Sequence, residues 1–339
     1  MTRAVSEGYD DLARKLDRLE IVNCDKKPFI PDDRFDGALT YEFLSTCVSD
    51  LLPSEDAGAH RHIPTLYKSY RKVIAILVMM RYEKHFVNFW EKNTNDRDLP
   101  LDQERLRSID EELWWPKFNT LQYKFLARVY CEETESQQWT DDYVLPILDK
   151  VYRNRGAFSE VYKIRIHPYY DRLNFRGDQE VSGLIWHLGC NGRADIHLQQ
   201  HWYALKQLKT SADAKVNERK LREWHDEVAA NALVRKQQHN NYAYNSILPL
   251  LHSHTYGKQC NLIFPLANYN LKEFYAKEQK PPNGGHRFKF IEQISRLVPA
   301  LGLIHQGEID STCQWIGLHR DLKPGLPARH ANCGFFELM

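Results

Sequence analysis

The spacing of apolar residues predicts helices through the first 145 or so residues of the chain. Tyr9, Leu12 and Leu16 recur at helical spacing. A second helix is expected to begin at Pro64, where the missing backbone N–H costs nothing. The apolar positions of that helix form one stripe, made of Leu66, Tyr67, Tyr70, Val73, Ile74, Leu77 and Val78. We therefore expect an all-helical region over residues 1–145.

The pattern changes after residue 145. Val161–Ile166 and Tyr203–Leu208 alternate with period two, which is typical of half-buried strands. Asn217–Lys236 has helical spacing, and two apolar runs follow at Ile247–Leu251 and Leu262–Leu266, which we interpret as strands. This second part of the chain therefore predicts an α+β fold.

Two further segments complete the pattern. Lys277–Gly285 contains paired prolines and paired glycines, which predict a linker. The apolar residues of Arg287–His305 then predict a long helix, interrupted by Pro299.

Composition excludes several classes of protein. The chain has 339 residues, enough for two domains, and 42% of them are apolar, enough to build real cores. Lys and Arg number 46 against 45 Asp and Glu, so neither nucleic acid nor an anionic membrane is indicated as a partner. Val73–Met80 is the longest apolar run and is too short to span a bilayer, which needs roughly twenty residues.

The cysteines indicate a reducing compartment. Seven are scattered along the chain, with no C-x-x-C pair and no secretory signal at the N-terminus. We expect reduced thiols and an intracellular location, cytoplasmic or nuclear.

The strongest chemical motif is His319-Arg320-Asp321-Leu322-Lys323-Pro324. It matches the catalytic-loop signature of protein kinases, H-R-D-L-K-P, in which the aspartate takes the proton of the substrate hydroxyl. By this match Asp321 is the candidate base. Lys323 resembles the lysine that steadies the γ-phosphate in serine/threonine kinases.

Residues from about 150 to 324 resemble a protein kinase domain of the serine/threonine type. The whole chain resembles a group of kinase-like proteins abundant in filamentous fungi. The resemblance implies an antiparallel-sheet small lobe over 146–270 and the start of a helical large lobe over 271–324. The helical region 1–145 precedes them, and 325–339 is an atypical tail. The implied cofactors are ATP and Mg²⁺, and the implied partner is a protein substrate of unknown identity.

A second element of the resemblance is the turn that covers the ATP phosphates. Kinases use G-x-G-x-[FY]-G-x-V there, because glycines let the backbone approach the phosphates. This chain keeps one of the three glycines, and we expect its turn to remain feasible because Asn tolerates left-handed geometry and Ser is small. The candidate residues are Asn154, Gly156, Phe158, Ser159 and Val161.

A third element is Ala204-Leu205-Lys206, which matches the A-x-K of the third kinase strand. The lysine binds the α- and β-phosphates and needs a carboxylate from the next helix. Glu223 and Glu227 both qualify, and we favour Glu227 because Glu227-Val228 resembles the family better.

The fourth element, Asn261 to Leu271, resembles the fifth strand and the hinge that holds adenine. Phe264 would be the gatekeeper beside the ring. The carbonyl of Pro265 and the amide of Ala267 would bind adenine, and proline is permitted because its position uses only the carbonyl.

Departures from the family pattern predict that the chain is inactive as written. Leu326 stands where a kinase has the asparagine that holds Mg²⁺, and leucine cannot ligate a hard cation. No D-F-G follows. From Gly325 onward the sequence has neither strand alternation nor helical period.

Alternatives remain at this point. One is a non-catalytic ATP-binding or interaction module resembling a pseudokinase, and another is a scaffold acting through residues 1–145.

His252 and His254, like His60 and His62, form H-x-H pairs that we interpret as polar loop surface rather than metal ligands. An expected insertion over Asp171–Gln200 carries further metal-ligand residue types without paired spacing, and no metal site is assigned. The oligomeric state is open.

Overall fold

The computed structural model describes most of the chain up to residue 267 and four short strands beyond it. The described residues are 3–52, 59–112, 114–132, 136–156, 159–173, 201–208, 214–238, 248–267, 308–309, 313–314, 328–330 and 333–336. They divide into two compact units. Unit 1 draws on Met1–Val129, Asp141–Leu148 and His167–Tyr170; unit 2 draws on Tyr130–Thr140, Asp149–Ile166 and Asp171–Met339.

Unit 1 is largely helical. Its helices are α1 (Arg3–Leu19), α2 (Asp32–Phe35), α3 (Tyr41–Leu51), α4 (Ile63–Ser69), α5 (Arg71–Met80), α6 (Phe86–Glu91), α7 (Gln103–Ile109) and α8 (Trp115–Gln122). Short 3₁₀ turns lie at Ala59–His62, Glu83–His85, Tyr123–Phe125 and Pro168–Tyr170. The expectation of an all-helical region over residues 1–145 is wrong, because this range also contains short strands. In unit 1, a hairpin pairs the two-residue strands β1 (Ile21–Val22) and β2 (Pro28–Phe29).

The centre of unit 1 is α5. Seven of its ten residues are buried, from Val73 through Val78 and Met80. A helix that is apolar all round must be enclosed by other elements. Burial of each Val, Ile, Leu or Met side chain among them stabilises the folded state by about 1.5–3 kcal/mol relative to leaving it exposed. The apolar face of α1, with Leu12 and Leu16 buried, joins the same core.

The single helix expected from Pro64 through Val78 is wrong. α4 ends at Ser69, Tyr70 leaves helical geometry at φ −128° and ψ 8°, and α5 begins at Arg71. The reason is a cap from elsewhere in the chain, because Asp96 accepts hydrogen bonds from the backbone N–H groups of Lys72 and Val73.

Unit 2 contains a six-stranded mixed sheet. Its strands are β4 (Gln137–Trp139), β5 (Ile147–Arg155), β6 (Ser159–Ile166), β8 (Trp202–Leu208), β9 (His252–Tyr256) and β10 (Gln259–Pro265), in the order β4-β9-β10-β8-β6-β5. β8 pairs antiparallel with β6 and with β10, and β10 pairs antiparallel with β9. β4 joins the edge of β9 in parallel orientation. A separate parallel pair consists of β3 (Tyr130–Cys131) and β7 (Asp171–Arg172).

The helix α9 (Ala214–Gln238) follows β8 in the sequence. Together with the sheet it confirms the α+β class. Among the described residues, no helix combines the length and apolar character that crossing a membrane requires.

The run Ile247–Leu251 is not a strand in its described part, residues 248–251. Leu248, Leu250 and Leu251 are buried, but the strand β9 begins only at His252. Apolar content alone marked the wrong residues here, because the strand residues of β9 are mostly polar by type and buried by position.

Several expected segments lie outside the described residues, namely the linker Lys277–Gly285, most of the expected insertion Asp171–Gln200 and the whole of the helix Arg287–His305. The residues described beyond residue 267 form two antiparallel hairpins, made of β11 (Glu308–Ile309) with β12 (Cys313–Gln314) and β13 (Ala328–His330) with β14 (Cys333–Phe336). The second lies in the tail, where the sequence has no strand pattern.

Candidate functional site

An ion pair between Lys206 and Glu227 is the central feature of the candidate site. The Nζ atom of Lys206 donates to Oε1 of Glu227 at 2.7 Å and to Oε2 at 3.0 Å. Lys206 lies in β8 and is only 7% exposed, while Glu227 lies on α9 and is half-buried. A buried ammonium is stable only with such a partner, because isolation from water penalises the charged form.

Glu223 makes a different contact. Its Oε1 atom lies 3.1 Å from Nε of Arg219, one helical turn earlier, and both side chains are more than half exposed. An exposed i,i+4 pair of this kind contributes only about 0.3–0.5 kcal/mol. Of the two candidate glutamates, Glu227 is therefore the one that contacts Lys206.

The register of the sheet places several apolar side chains of the predicted site on the same face as Lys206. In the pairing of β8 with β10, Ala204 stands opposite Phe264 and Lys206 opposite Leu262. Directly opposed residues project from the same face of a sheet. Ala204 and Phe264 belong to one buried cluster, against which Val161 of β6 packs. Val161 of the predicted phosphate-covering turn, Ala204 of the A-x-K motif and the predicted gatekeeper Phe264 are thus brought together.

The predicted hinge follows directly. Pro265 ends β10 opposite Tyr203 and is buried, while Ala267 lies two residues beyond the strand and is half-buried. The predicted hinge thus begins at the last residue of β10, directly after Phe264 of the buried cluster.

A hydrogen bond between backbone groups closes the turn between β5 and β6. The N–H of Gly156 donates to the carbonyl of Ser159 at 2.8 Å. Asn154 lies within β5, and its Oδ1 accepts from the N–H of Arg155 at 2.8 Å. The left-handed geometry invoked for Asn154 is not used, because neither Asn154 nor Gly156 is among the described residues with positive φ. Phe158 lies outside the described residues.

The catalytic-loop candidates Asp321 and Lys323 also lie outside the described residues, as does Leu326. Of the predicted site residues, those that the structure brings together are Lys206 with Glu227, and Val161 with Ala204 and Phe264.

The interpretation of His252 and His254 as loop surface is wrong. Both lie in β9, and each is only 1% exposed. Trp139 of the edge strand β4 covers them, with ring centroids 4.4 Å from His254 and 5.4 Å from His252. Burial, with a further contribution from His252, lowers the pKa of His254 well below its usual value. The alternation of histidines with hydroxyl residues in His252-Ser253-His254-Thr255 was the available sequence signal for a strand.

A second polar cluster was not anticipated from the sequence. In unit 1, Nδ1 of His85 lies 2.6 Å from Oδ2 of Asp110, and Nε2 of His85 lies 4.0 Å from Oε2 of Glu112. Oδ2 of Asp110 also accepts from Asn88 at 2.6 Å, and its Oδ1 accepts from the N–H of Glu112.

These contacts decide what the cluster can hold. Burial raises the pKa of Asp110, but the Glu112 N–H and the side chains of His85 and Asn88 outweigh it and lower the pKa below its usual value. Because its oxygens are already engaged, Asp110 orients the imidazole. The cluster of three residues thus offers an ion only the far nitrogen of His85 and the exposed carboxylate of Glu112.

No family model matches the chain, and no curated protein matches it.

Proposed function

We propose that unit 2 contains the nucleotide-binding small lobe of a protein of the serine/threonine kinase type, and that it binds ATP. The observation that carries this proposal is the Lys206–Glu227 ion pair. It joins β8, an inner strand with antiparallel neighbours on both sides, to the helix that follows. A lysine held in this way presents its charge to phosphate oxygens, as the kinase lysine–glutamate pair does.

The surroundings of the ion pair support the same ligand. Val161, Ala204 and Phe264 offer an apolar surface of the kind that encloses an adenine ring. In this proposal the Pro265 carbonyl and the Ala267 N–H hold the edge of the ring. Gly156 allows the turn between β5 and β6 to approach the phosphates.

The proposed reaction is transfer of the γ-phosphoryl group to a serine or threonine hydroxyl of a protein. Asp321 would accept the hydroxyl proton, and Lys323 would steady the transferred group. The residues of this chain do not fit the Mg²⁺ that such transfer uses, since Leu326 occupies the position of an asparagine ligand. No step is therefore assigned to a metal.

Leu326 favours a second candidate, which is ATP binding without phosphoryl transfer. In that case the chain acts as a nucleotide-dependent interaction module. The two candidates share the site at Lys206 and differ in whether Asp321 has any catalytic effect.

Nucleotide-induced thermal stabilisation of the full chain tests the shared part. We expect ATP to raise the melting temperature of the wild type and of Lys258→Ala, which removes an exposed lysine from the turn between β9 and β10. The shift should vanish in Lys206→Ala. A wild type that responds to no nucleotide would exclude the proposal.

A transfer assay with radiolabelled ATP and a generic basic protein separates the two candidates. Turnover that is abolished in Asp321→Asn supports the kinase. ATP binding with no turnover, and no difference between wild type and Asp321→Asn, supports the non-catalytic module.

A further inference from the structure

In the part of α9 whose side chains the structure describes, residues 215–232, little surface is buried. Among its described side chains, from residue 215 to 232, Trp224 alone is buried, with 1% exposed. Glu227 and Val228 are half-buried, and Leu221, one turn before Trp224, is 38% exposed. Among these described side chains, Trp224 is therefore the one large group that anchors the helix to the sheet.

The indole of Trp224 belongs to the cluster that forms the candidate adenine surface. Ala204 of β8 and Phe264 of β10 are members of that cluster, and Val228 packs against it. Residues three and four apart share one face of a helix, so Trp224, Glu227 and Val228 face the sheet together.

We propose that Trp224 is the positioning residue of the Lys206–Glu227 ion pair. Its indole fixes the rotation of α9 about its axis, so that the Glu227 carboxylate reaches Nζ of Lys206 in the absence of nucleotide or partner protein. Resting on the proposed function, the inference adds a statement about regulation: the phosphate-binding lysine is set in place by the chain's own packing.

The environment of the indole nitrogen of Trp224 shows whether this side chain acts by packing or by hydrogen bonding. Its Nε1–H is buried and has no acceptor among the described residues. A buried donor without an acceptor opposes folding, so the side chain acts here through its shape and apolar area. Trp224→Phe should therefore keep the positioning effect, whereas Trp224→Ala should lose it.

The test is a double-mutant cycle on the full chain. Lys206→Met, Glu227→Gln and their combination are compared by urea unfolding, which gives the coupling between the two side chains. The cycle is repeated with Trp224→Ala, Trp224→Phe and two controls. Leu221→Ala truncates an exposed apolar residue on the same helix. Ile263→Val alters the opposite face of the sheet, since Ile263 alternates with Leu262 and Phe264 along β10.

We expect the coupling to disappear with Trp224→Ala and to persist with Trp224→Phe and with both controls. Undiminished coupling in Trp224→Ala would overturn the inference, and so would its loss in Ile263→Val, which would indicate a general effect of stability. If Trp224→Ala does not fold, Trp224→Leu takes its place. Reduced coupling is then the supporting result, and unchanged coupling the contradicting one.

The nucleotide response distinguishes this inference from the proposed function. ATP should stabilise the wild type and Trp224→Phe, and this stabilisation should be lost in Trp224→Ala. A wild type that binds no nucleotide removes the proposed function, yet the coupling measured without nucleotide still decides the role of Trp224. If ATP still stabilises Trp224→Ala, nucleotide binding is supported, but the regulatory part of the inference is contradicted.

Discussion

The carboxylate of Asp96 accepts a hydrogen bond of 2.9 Å from the backbone N–H of Val73, in the first turn of α5. Its other oxygen accepts from the N–H of Lys72 at 3.0 Å. The first N–H groups of a helix have no partner within the helix. Asp96, 23 residues beyond Val73 in the chain, supplies acceptors for two of these N–H groups. This cap separates α5 from α4.

Replacement of Asp96 by alanine should destabilise unit 1 by about 1–2 kcal/mol, as loss of an N-terminal cap does. The measurement is urea unfolding followed by circular dichroism. Asp98→Ala is the matched control, because Asp98 caps only the exposed N–H of Asn95. Equal losses in the two variants would contradict the assigned role.

Asp96 should also give the protein a pH dependence with an unusual sign. Burial raises its pKa from 3.8 to about 6, against the opposing effect of the Lys72 and Val73 N–H groups. The folded state therefore binds a proton that the unfolded state releases, and this contribution to stability falls as pH rises from about 4 to 6. The free energy of unfolding of the wild type minus that of Asp96→Asn should decrease over this interval. A flat difference would show that the carboxyl titrates at its ordinary pKa.

His254 should produce the opposite trend. Its folded pKa lies well below 6.5 because burial disfavours the charged imidazole, and His252 acts in the same direction. Protons bind first to the unfolded state, so stability should fall as pH decreases from about 7.5 through 6.5 towards 5.5. His254→Phe should weaken this dependence, measured by urea unfolding at each pH. His60→Ala, at an exposed position, should leave it unchanged.

Gly156→Ala should separate nucleotide binding from folding. A Cβ atom there would lie 3.4 Å from Oγ of Ser159, an ordinary contact, and Gly156 has no positive φ. Because alanine reduces the freedom of the unfolded chain, stability should stay equal or rise by about 0.4–1 kcal/mol. Under the proposed function, the added methyl group stands where the backbone approaches phosphate, so ATP affinity should drop. Unchanged affinity in calorimetry would remove this turn from the site.

The spacing of apolar residues was sufficient to predict those helices and strands whose buried positions are themselves apolar. The alternation of Val161–Ile166 and Tyr203–Leu208 identified β6 and β8, and the helical spacing of Asn217–Lys236 identified α9. The resemblance of Ala204-Leu205-Lys206 to the kinase A-x-K motif nominated Lys206. The resemblance of Glu227-Val228 to the same family favoured Glu227 over Glu223, and Lys206 and Glu227 are in contact.

Contacts between distant segments decided the rest. No property of residues 64–78 signals a break at Tyr70, since the cap comes from Asp96. Likewise, His252 and His254 are polar by type and are buried because Trp139 covers them. A search for strands by apolar content cannot identify such positions, as burial there is supplied by another strand.

The parallel edge strand β4 also determines how the chain can be divided. It precedes the boundary expected at residue 145, yet Gln137 pairs with His254, and the N–H of Gly257 donates to the carbonyl of Trp139 at 3.0 Å. A fragment starting at residue 146 would leave the outer edge of β9 open, with unpaired backbone groups that favour association between molecules. The shortest piece that keeps the six strands together therefore starts before Gln137, within the segment whose sequence predicts only helices.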